Sequence, residues 1–243
     1  NNYQKLPKLK TAVNDAQGIA TLLSDRYGFD TKLLLDATRK ETLDALYTYR
    51  NSLDENDNFL IYYAGHGTID SKTGDGYWQG VEAEDDNPTN WIANSRINNI
   101  IKSLPAKHVI LIADSCYSGQ VFRGSGSSKL GDLASSGLAY LKRMVIKKTR
   151  VALSSGGNEP VMDSLIGDKH SVFANALLEI LKANNEALPA ADISKKIREK
   201  VVTTTSTVNV DQTPEYSSMY DAGHDGGDFI FVPEEFARTG NSM

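Results

Sequence analysis

Cysteine is almost absent from this sequence, since its 243 residues contain only Cys116. A single cysteine excludes an internal disulfide framework and is typical of a reducing compartment, so we expect a cytoplasmic protein. Long apolar runs are also missing: none approaches the ~18 residues that a membrane span requires, and no signal peptide is visible. We therefore expect a protein that works without a membrane.

An excess of basic residues is absent as well. The chain carries 26 Lys and Arg against 31 Asp and Glu, a formal net charge of −5. This balance argues against a partner with a continuous negative surface, so we expect neither nucleic acid nor an anionic membrane as a partner. Hydrophobic content of 40% and charged content of 23% are ordinary for a globular protein. A chain of this length can form one sizeable core, so we expect a single domain over residues 1–243.

Strand and helix patterns alternate along the chain. Helical spacing of apolar residues precedes Gly28, and Thr38 with Glu41 resembles a capping box for the next helix. Further helices are predicted over residues 92–103, 137–146, 171–183 and 190–203. Strands are predicted over 31–36, 58–64, 107–113, 150–155, 213–220 and 226–233. This order predicts an α/β fold with a mainly parallel β-sheet between helices.

The stretch VILIADSCYSG, residues 109–119, places the only cysteine just past the end of a buried strand. His66 follows the strand 58–64 in the same way, fifty residues earlier. Right-handed crossovers bring the carboxyl ends of parallel strands to one edge, so Cys116 and His66 are expected to meet there. A thiol with a pKa near 8.5 is mostly protonated at neutral pH, and a neighbouring imidazole can take its proton. This pattern predicts a nucleophile, Cys116, with His66 as general base.

Each residue alone also has a structural interpretation. An isolated cysteine at a strand end can be a buried, inert thiol, and a histidine between glycines can be a turn residue. The joint placement and the separation, similar to that of caspase-type His and Cys, favour catalysis. Among the other histidines, His108 is expected at a strand start, His170 at a helix N-terminus, and His224 in a turn, where it is a weaker rival for the base.

Attack of a thiolate on an amide carbonyl creates an oxyanion that backbone N–H groups must stabilise. The amides of Gly67 and Cys116 are the natural donors, since both adjoin the reacting side chains. A glycine at position 67 also lets a substrate backbone approach without a Cβ clash. We therefore predict an oxyanion hole formed by Gly67 and Cys116.

The segments YYAGHG and DSCYSG resemble the paired motifs of the caspase-like cysteine peptidases, specifically the metacaspase and bacterial orthocaspase branch. LPKLKTAVNDAQGIATLLSDRYGF near the start and HDGGDFIFVP near the end resemble that branch too, so the similarity covers nearly the whole chain. The resemblance implies a caspase-like fold and a peptidase. In the family, a first parallel strand precedes the segment that starts here with NNY, so we expect a further strand upstream of Asn1.

Acidic residues suggest which substrate is cut. Asp114 precedes Cys116 by two residues and therefore points to the same side of the strand, where a carboxylate selects Lys or Arg by charge pairing. The resemblance implies the same, with Asp114 and Asp15 lining a pocket for a basic P1 residue, the one just before the scissile bond. The alternatives are a hydrogen-bonded strand-end cap for Asp114 and an exposed helix acid for Asp15. Ala64 stands where metacaspases often have Ser, which leaves the preference between Arg and Lys open.

Two loops carry regulatory hypotheses. Residues 117–137, rich in Gly and Ser, predict a flexible loop, and Arg123 or Lys129 within it is a possible autocleavage site. The alternative is a plain loop without cleavage. The acidic stretch 82–90 is interpreted as a solvated loop, although oxygen-rich loops can bind calcium and some metacaspases are calcium-activated. A zinc site is not expected from one cysteine and scattered histidines.

The sequence thus predicts a cysteine endopeptidase that cleaves protein or peptide substrates after Arg or Lys and needs no cofactor. Two alternatives stay open. The first is a catalytically silent caspase-like scaffold, against which the intact His66 and Cys116 argue. The second is a hydrolase that becomes active only when a partner or an upstream regulatory or sensor domain rearranges it.

Overall fold

The computed structural model describes residues 1–116, 137–157 and 169–239. Within these ranges no helix is long and apolar enough to cross a membrane. The helices are α1 Ala12–Tyr27, α2 Arg39–Ser52, α3 Asn94–Ser103, α4 Leu138–Ile146, α5 Val172–Ala183, α6 Ala190–Ser206 and α7 Glu234–Thr239. The strands are β1 Asn58–Ala64, β2 Gly67–Ile69, β3 Gly76–Gln79, β4 Trp91–Ala93, β5 His108–Asp114, β6 Thr149–Ser154, β7 Leu188–Pro189, β8 Glu215–Ser218 and β9 Ile230–Phe231.

The central sheet has the strand order β1-β5-β6-β8. β1 pairs with β5 and β5 with β6 in parallel, whereas β8 runs antiparallel to β6. The register places Ala64 opposite Asp114, so the segments that follow β1 and β5 leave the sheet side by side. The predicted α/β fold with a mainly parallel sheet is confirmed, and its carboxyl edge carries both sequence motifs.

Alternating side chains of the central strands supply two cores, one on each face of the sheet. Ile110 and Ile112 face a cluster that contains α1, α5 and α6. Val109 and Leu111 face a second cluster that contains α2 and α3. This alternation is the two-residue period of a strand, and β5 is apolar throughout because both of its faces are covered. Burial of each such side chain stabilises the fold by about 1.5–3 kcal/mol.

Local signals set the helix ends near the site. Thr38 and Glu41 form the predicted capping box, since each side chain binds the backbone N–H of the other residue. Helix α1 stops at Gly28, whose φ of 67° lies in the left-handed region that glycine adopts without strain. The position of α1 matters because this helix carries Asp15.

Arg150 stabilises the edge of the sheet that lies opposite the carboxyl edge with the two motifs. It is fully buried, and its guanidinium donates hydrogen bonds to backbone carbonyls instead of to a carboxylate. The five acceptors are the carbonyl oxygens of Ile101, Leu104, Ala106, Lys107 and Thr149, at 2.8–3.2 Å. Burial lowers its pKa to about 10, which leaves the side chain charged at neutral pH. Arg150 thereby fixes the connection between α3 and β5, the strand that leads to Cys116.

The prediction of a strand over residues 31–36 is wrong for this structure. The segment is unpaired, and Leu33, Leu34 and Leu35 are each about 40% exposed. It lines, together with β1, a cavity of about 740 Å³. An extended apolar segment becomes a strand only when a neighbour completes its hydrogen bonds, and the described residues supply none beside it. The expected strand upstream of Asn1 stays a prediction.

Candidate active site

The loop after β1 holds His66 between two glycines whose lack of a side chain is required. A Cβ on Gly65 would lie 2.7 Å from the hydroxyl of Tyr3 and 2.8 Å from that of Tyr63. A Cβ on Gly67 would collide with the backbone carbonyl oxygen of Cys116. The turn can therefore bring His66 to the end of β5 only because both flanking residues are glycines.

Cys116 lies two residues beyond the end of β5 and is partly buried. The contact between the Gly67 and Cys116 backbones joins the two motifs, which are separated by fifty residues in sequence. Burial raises the pKa of Tyr63, and the nearby Tyr3 and Cys116 act in the same direction. The structure thus brings together the predicted nucleophile, the loop that carries the predicted base, and both predicted oxyanion donors.

The His66 ring is oriented by a backbone carbonyl. Its Nε2 lies 2.7 Å from the oxygen of Pro7. Since a carbonyl can only accept, Nε2 carries the proton of the neutral ring, and Nδ1 is left with the lone pair that can accept a proton from a thiol. No orienting group was predicted from the sequence. A search by side-chain type could not find it, because the acceptor is a main-chain atom.

Beneath the end of β5 the structure joins the two predicted acids through one serine. The Ser171 hydroxyl donates to Asp114 Oδ2 at 2.5 Å, and the Ser171 N–H donates to both oxygens of Asp15, at 3.2 and 3.4 Å. Asp114 is 7% exposed and Asp15 is 1% exposed. The alternative interpretation of Asp15 as an exposed helix acid is therefore wrong. We call Asp15, Asp114, Ser171 and His170 the acidic cluster.

Burial raises the pKa of Asp114 to about 7, and the nearby charge of Asp15 acts in the same direction. Hydrogen bonds from Ser171 and Tyr62 oppose this effect, since they stabilise the ionised carboxylate. Asp114 is consequently close to half-protonated at neutral pH. A cation placed beside it would favour ionisation, so the cluster is chemically suited to bind a positively charged group.

His170 has a larger part in the cluster than its sequence position indicated. It precedes α5 as predicted, but its Nδ1 lies 2.8 Å from Asp15 Oδ1. Burial lowers the pKa of His170, and the nearby charges of Lys182 and Lys169 act in the same direction. We therefore describe the contact as a hydrogen bond in which Nδ1–H donates. Sequence reasoning missed His170 and Ser171; their placement at the N-terminus of α5 was the only available signal.

The other two histidines lie at the far edge of the sheet. His108 begins β5 and contacts Asn58, the first residue of β1. His224 Nδ1 accepts from the backbone N–H of Arg150, the second residue of β6. Since parallel strands run away from this edge towards Cys116, His224 is not a rival for the general base.

Several predictions fall on residues outside the described ranges. Both candidate autocleavage residues, Arg123 and Lys129, belong to them, as does nearly all of the loop 117–137. In the acidic stretch 82–90, which is described, Glu82 accepts from the backbone N–H of Arg39 at the start of α2. No group of three or more His, Cys, Asp or Glu among the described residues is arranged to hold a metal ion.

A family model described as Caspase domain matches residues 1–222. The chain belongs to the caspase domain family. Metacaspase-1 of Cryptococcus neoformans is 30% identical over 128 residues, which cover 46% of this chain and 28% of that protein. Metacaspase-1 of Schizosaccharomyces pombe is 29% identical over 129 residues, covering 46% and 30%. The matched part thus spans less than a third of the length of these curated relatives.

Solved structures share the caspase fold at low identity. Caspase-1 of Spodoptera frugiperda superposes with a TM-score of 0.60 at 14% identity, covering 90% of this chain and 84% of that one. A Geobacter sulfurreducens protein gives a TM-score of 0.58 at 18% identity, covering 87% and 85%. These likenesses agree with the caspase-like architecture that the motifs predicted.

Proposed function

We propose that this caspase domain is a cysteine endopeptidase that cleaves peptide bonds after Arg or Lys. The observation that carries the proposal is the acidic cluster, in which Ser171 joins the two buried carboxylates of Asp114 and Asp15. Asp114 precedes the thiol of Cys116 by two residues. Two carboxylates beneath a nucleophile match a guanidinium or ammonium group on the substrate, and they disfavour an acidic P1 residue.

In the proposed reaction, His66 Nδ1 takes the proton of the Cys116 thiol, and the thiolate attacks the scissile carbonyl carbon. The amide N–H groups of Gly67 and Cys116 stabilise the resulting oxyanion. His66 then gives its proton to the leaving amine, and the C–N bond breaks to leave a thioester on Cys116. Water, deprotonated by the same imidazole, hydrolyses the thioester and restores the thiol.

The acidic cluster also gives the proposal a pH dependence. Asp114, with a pKa raised to about 7, must lose its proton to pair with the P1 cation. We therefore expect kcat/KM for Arg and Lys substrates to rise as the pH increases through 7. A basic P1 side chain favours the ionised form of Asp114, so the saturated enzyme should show this rise at a lower pH.

Four further properties belong to the proposal. Autocleavage after Arg123 or Lys129 would follow from the same specificity. Control by a partner or an upstream sensor domain is a separate part of the proposal. We propose that no cofactor is required and include calcium as a variable in the test. A cytoplasmic location is proposed from the single cysteine.

The test is hydrolysis of matched fluorogenic peptides that end in Arg, Lys, Asp or Ala, by the wild type and by Cys116→Ala, with and without calcium. We expect cleavage after Arg or Lys that is lost in the variant. Cleavage after Asp would contradict the specificity but keep the nucleophile. Absence of cleavage in every condition would favour the scaffold alternative.

A further inference from the structure

We infer that Tyr3 is a positioning residue for the general base, a role that rests on the proposed Cys116–His66 chemistry. The hydroxyl of Tyr3 accepts a hydrogen bond from the backbone N–H of His66 at 2.9 Å and donates to the carbonyl oxygen of Gln79 at 3.2 Å. Its ring meets the imidazole of His66 edge to face, with centroids 4.5 Å apart and planes at 61°. One side chain thus contacts both the main chain and the ring of His66.

The remaining contacts of His66 show why this side chain matters. The carbonyl oxygen of His66 accepts from the Tyr63 hydroxyl at 2.6 Å and from the Gln79 N–H at 3.0 Å. These bonds fix one end of the residue through β1 and β3. The N–H end is held by Tyr3, and the ring by Tyr3 and the Pro7 carbonyl. The segment between Tyr3 and Pro7 therefore sets the direction in which the imidazole points.

The segment itself is well anchored. Tyr3 is 8% exposed and packs with Leu6 and Ala83 in a small apolar cluster. The backbone N–H of Gln4 donates to the carbonyl oxygen of Val81 at 2.9 Å. Burial raises the pKa of Tyr3, so its hydroxyl keeps its proton at neutral pH and can donate to Gln79 while accepting from His66. A side chain fixed in this way can hold a neighbouring ring within a narrow range of orientations.

The contacts of Tyr3 with the proposed catalytic pair described above are with His66, so we expect its effect to pass through His66. Loss of its hydroxyl removes one hydrogen bond from the base and leaves the ring in place. We expect the Tyr3→Phe variant to show a roughly three- to tenfold fall in kcat, the range that corresponds to one hydrogen bond, with little change in KM. The proposed determinant of KM for basic substrates is the acidic cluster, whereas the described contacts of Tyr3 are with His66, Gln79 and the small apolar cluster.

Alkylation of Cys116 by iodoacetamide gives a readout that does not depend on peptide cleavage. Cys116 is the only cysteine, so labelling reports on it alone. Because the thiolate reacts, the rate as a function of pH reports how well His66 promotes thiol ionisation. In Tyr3→Phe the profile should move towards higher pH, in the direction of His66→Ala. A loss of fold stability without a change of His66 would not produce this shift.

The matched control is Tyr27→Phe, which removes another buried tyrosine hydroxyl, one that donates to the Leu181 carbonyl at 2.8 Å at the far end of α1. Its kcat per labelled thiol and its alkylation profile should equal those of the wild type. If Tyr3→Phe behaves as this control does, the inference is wrong. If Tyr3→Phe does not fold, Leu6→Ala replaces it, since Leu6 packs with Tyr3 in the small apolar cluster and its truncation leaves the Tyr3 ring less constrained.

The two proposals can fail separately. A wild type that cleaves no peptide, but whose alkylation profile changes in His66→Ala and in Tyr3→Phe, would refute the peptidase and support the positioning role. A wild type whose profile equals that of His66→Ala would refute the coupling between Cys116 and His66, and with it the role of Tyr3.

Discussion

At the scale of single residues, the proposed recognition of a basic P1 residue depends on the two buried aspartates. Asp114 precedes Cys116 by two residues and has a pKa raised to about 7, and it accepts hydrogen bonds from the Ser171 and Tyr62 hydroxyls, at 2.5 and 3.4 Å. Neutral donors satisfy a carboxylate without cancelling its charge. The charge is therefore available to a substrate cation when the pocket is filled.

Asp114→Asn should consequently remove the preference for basic substrates. Asparagine keeps the shape and an acceptor for Ser171 but cannot pair with a guanidinium. Because removing one partner of a buried charge pair costs about 2–5 kcal/mol, we expect kcat/KM for Arg substrates to fall roughly 30- to 5000-fold. Steady-state kinetics on Arg and Ala peptides measures the effect.

Asp44→Asn is the control for this variant, because Asp44 is an exposed acid on α2 that pairs with Lys40. It should cleave Arg peptides at the wild-type rate, and Cys116 should be alkylated equally in both variants. Unchanged cleavage of Arg peptides by Asp114→Asn would show that the acidic cluster does not bind the P1 residue.

At the scale of elements, the helices and the central strands could be predicted because their signals are local. The apolar runs of β1 and β5, the capping box of α2 and the stop at Gly28 each need only neighbouring residues. The segment 31–36 could not be assigned correctly, since whether it pairs depends on what lies beside it. The acidic cluster was predicted in part: Asp15 and Asp114 were named, whereas Ser171 and His170 come from a distant helix that no local pattern connects to them.

Arg150 in β6 hydrogen-bonds to α3 and to the loop before β5. Its loss should lower the stability of the fold without changing the rate of the catalysed reaction. Arg150→Met removes the guanidinium from five carbonyl oxygens, of which those of Ile101 and Lys107 keep a backbone N–H donor. Up to three buried oxygens lose their donor, at about 1–3 kcal/mol each. Some of these oxygens will find water or other donors, so we expect a loss of roughly 3 kcal/mol or more in the free energy of unfolding.

Urea denaturation measures this loss, with Arg198→Met as the control because Arg198 is exposed on α6. Arg150→Lys should fall between the two, since it keeps the charge but lacks the planar fork. Catalysis per folded molecule should be unchanged in all three variants, because Arg150 lies at the opposite end of the sheet from Cys116. Equal stability of Arg150→Met and Arg198→Met would contradict the structural role.

At the scale of the whole molecule, stability and recognition make opposite demands. Two buried acids have raised pKa values, Asp114 at about 7 and Asp228 at about 6, because burial disfavours their charged forms. For each, the folded state binds the proton more tightly than the unfolded chain does, so its contribution to stability is lost as the pH rises from about 4 to the folded pKa. The half-buried His108 and His224, whose pKa values burial lowers, act in the opposite sense below pH 6.5.

The contribution of Asp114 can be isolated by comparing the wild type with Asp114→Asn across pH, because all other groups are common to both. Below the ordinary pKa of 3.8, Asp114 is protonated in both the folded and the unfolded chain, so the pH-dependent difference between the two proteins is still small near pH 4. Above pH 7 the wild type must keep a buried carboxylate ionised, whereas the variant has a neutral amide. At about 1.4 kcal/mol for each pH unit between the ordinary pKa of 3.8 and about 7, the variant should gain up to roughly 4 kcal/mol relative to the wild type.

Urea denaturation at pH 4.5, 6 and 8 measures the difference in the free energy of unfolding. A difference that stays constant with pH would show that the ionisation of Asp114 does not destabilise the fold. A variant that is more stable above pH 7 but has lost cleavage after Arg would establish that the protein keeps this buried charge for its substrate and not for its fold.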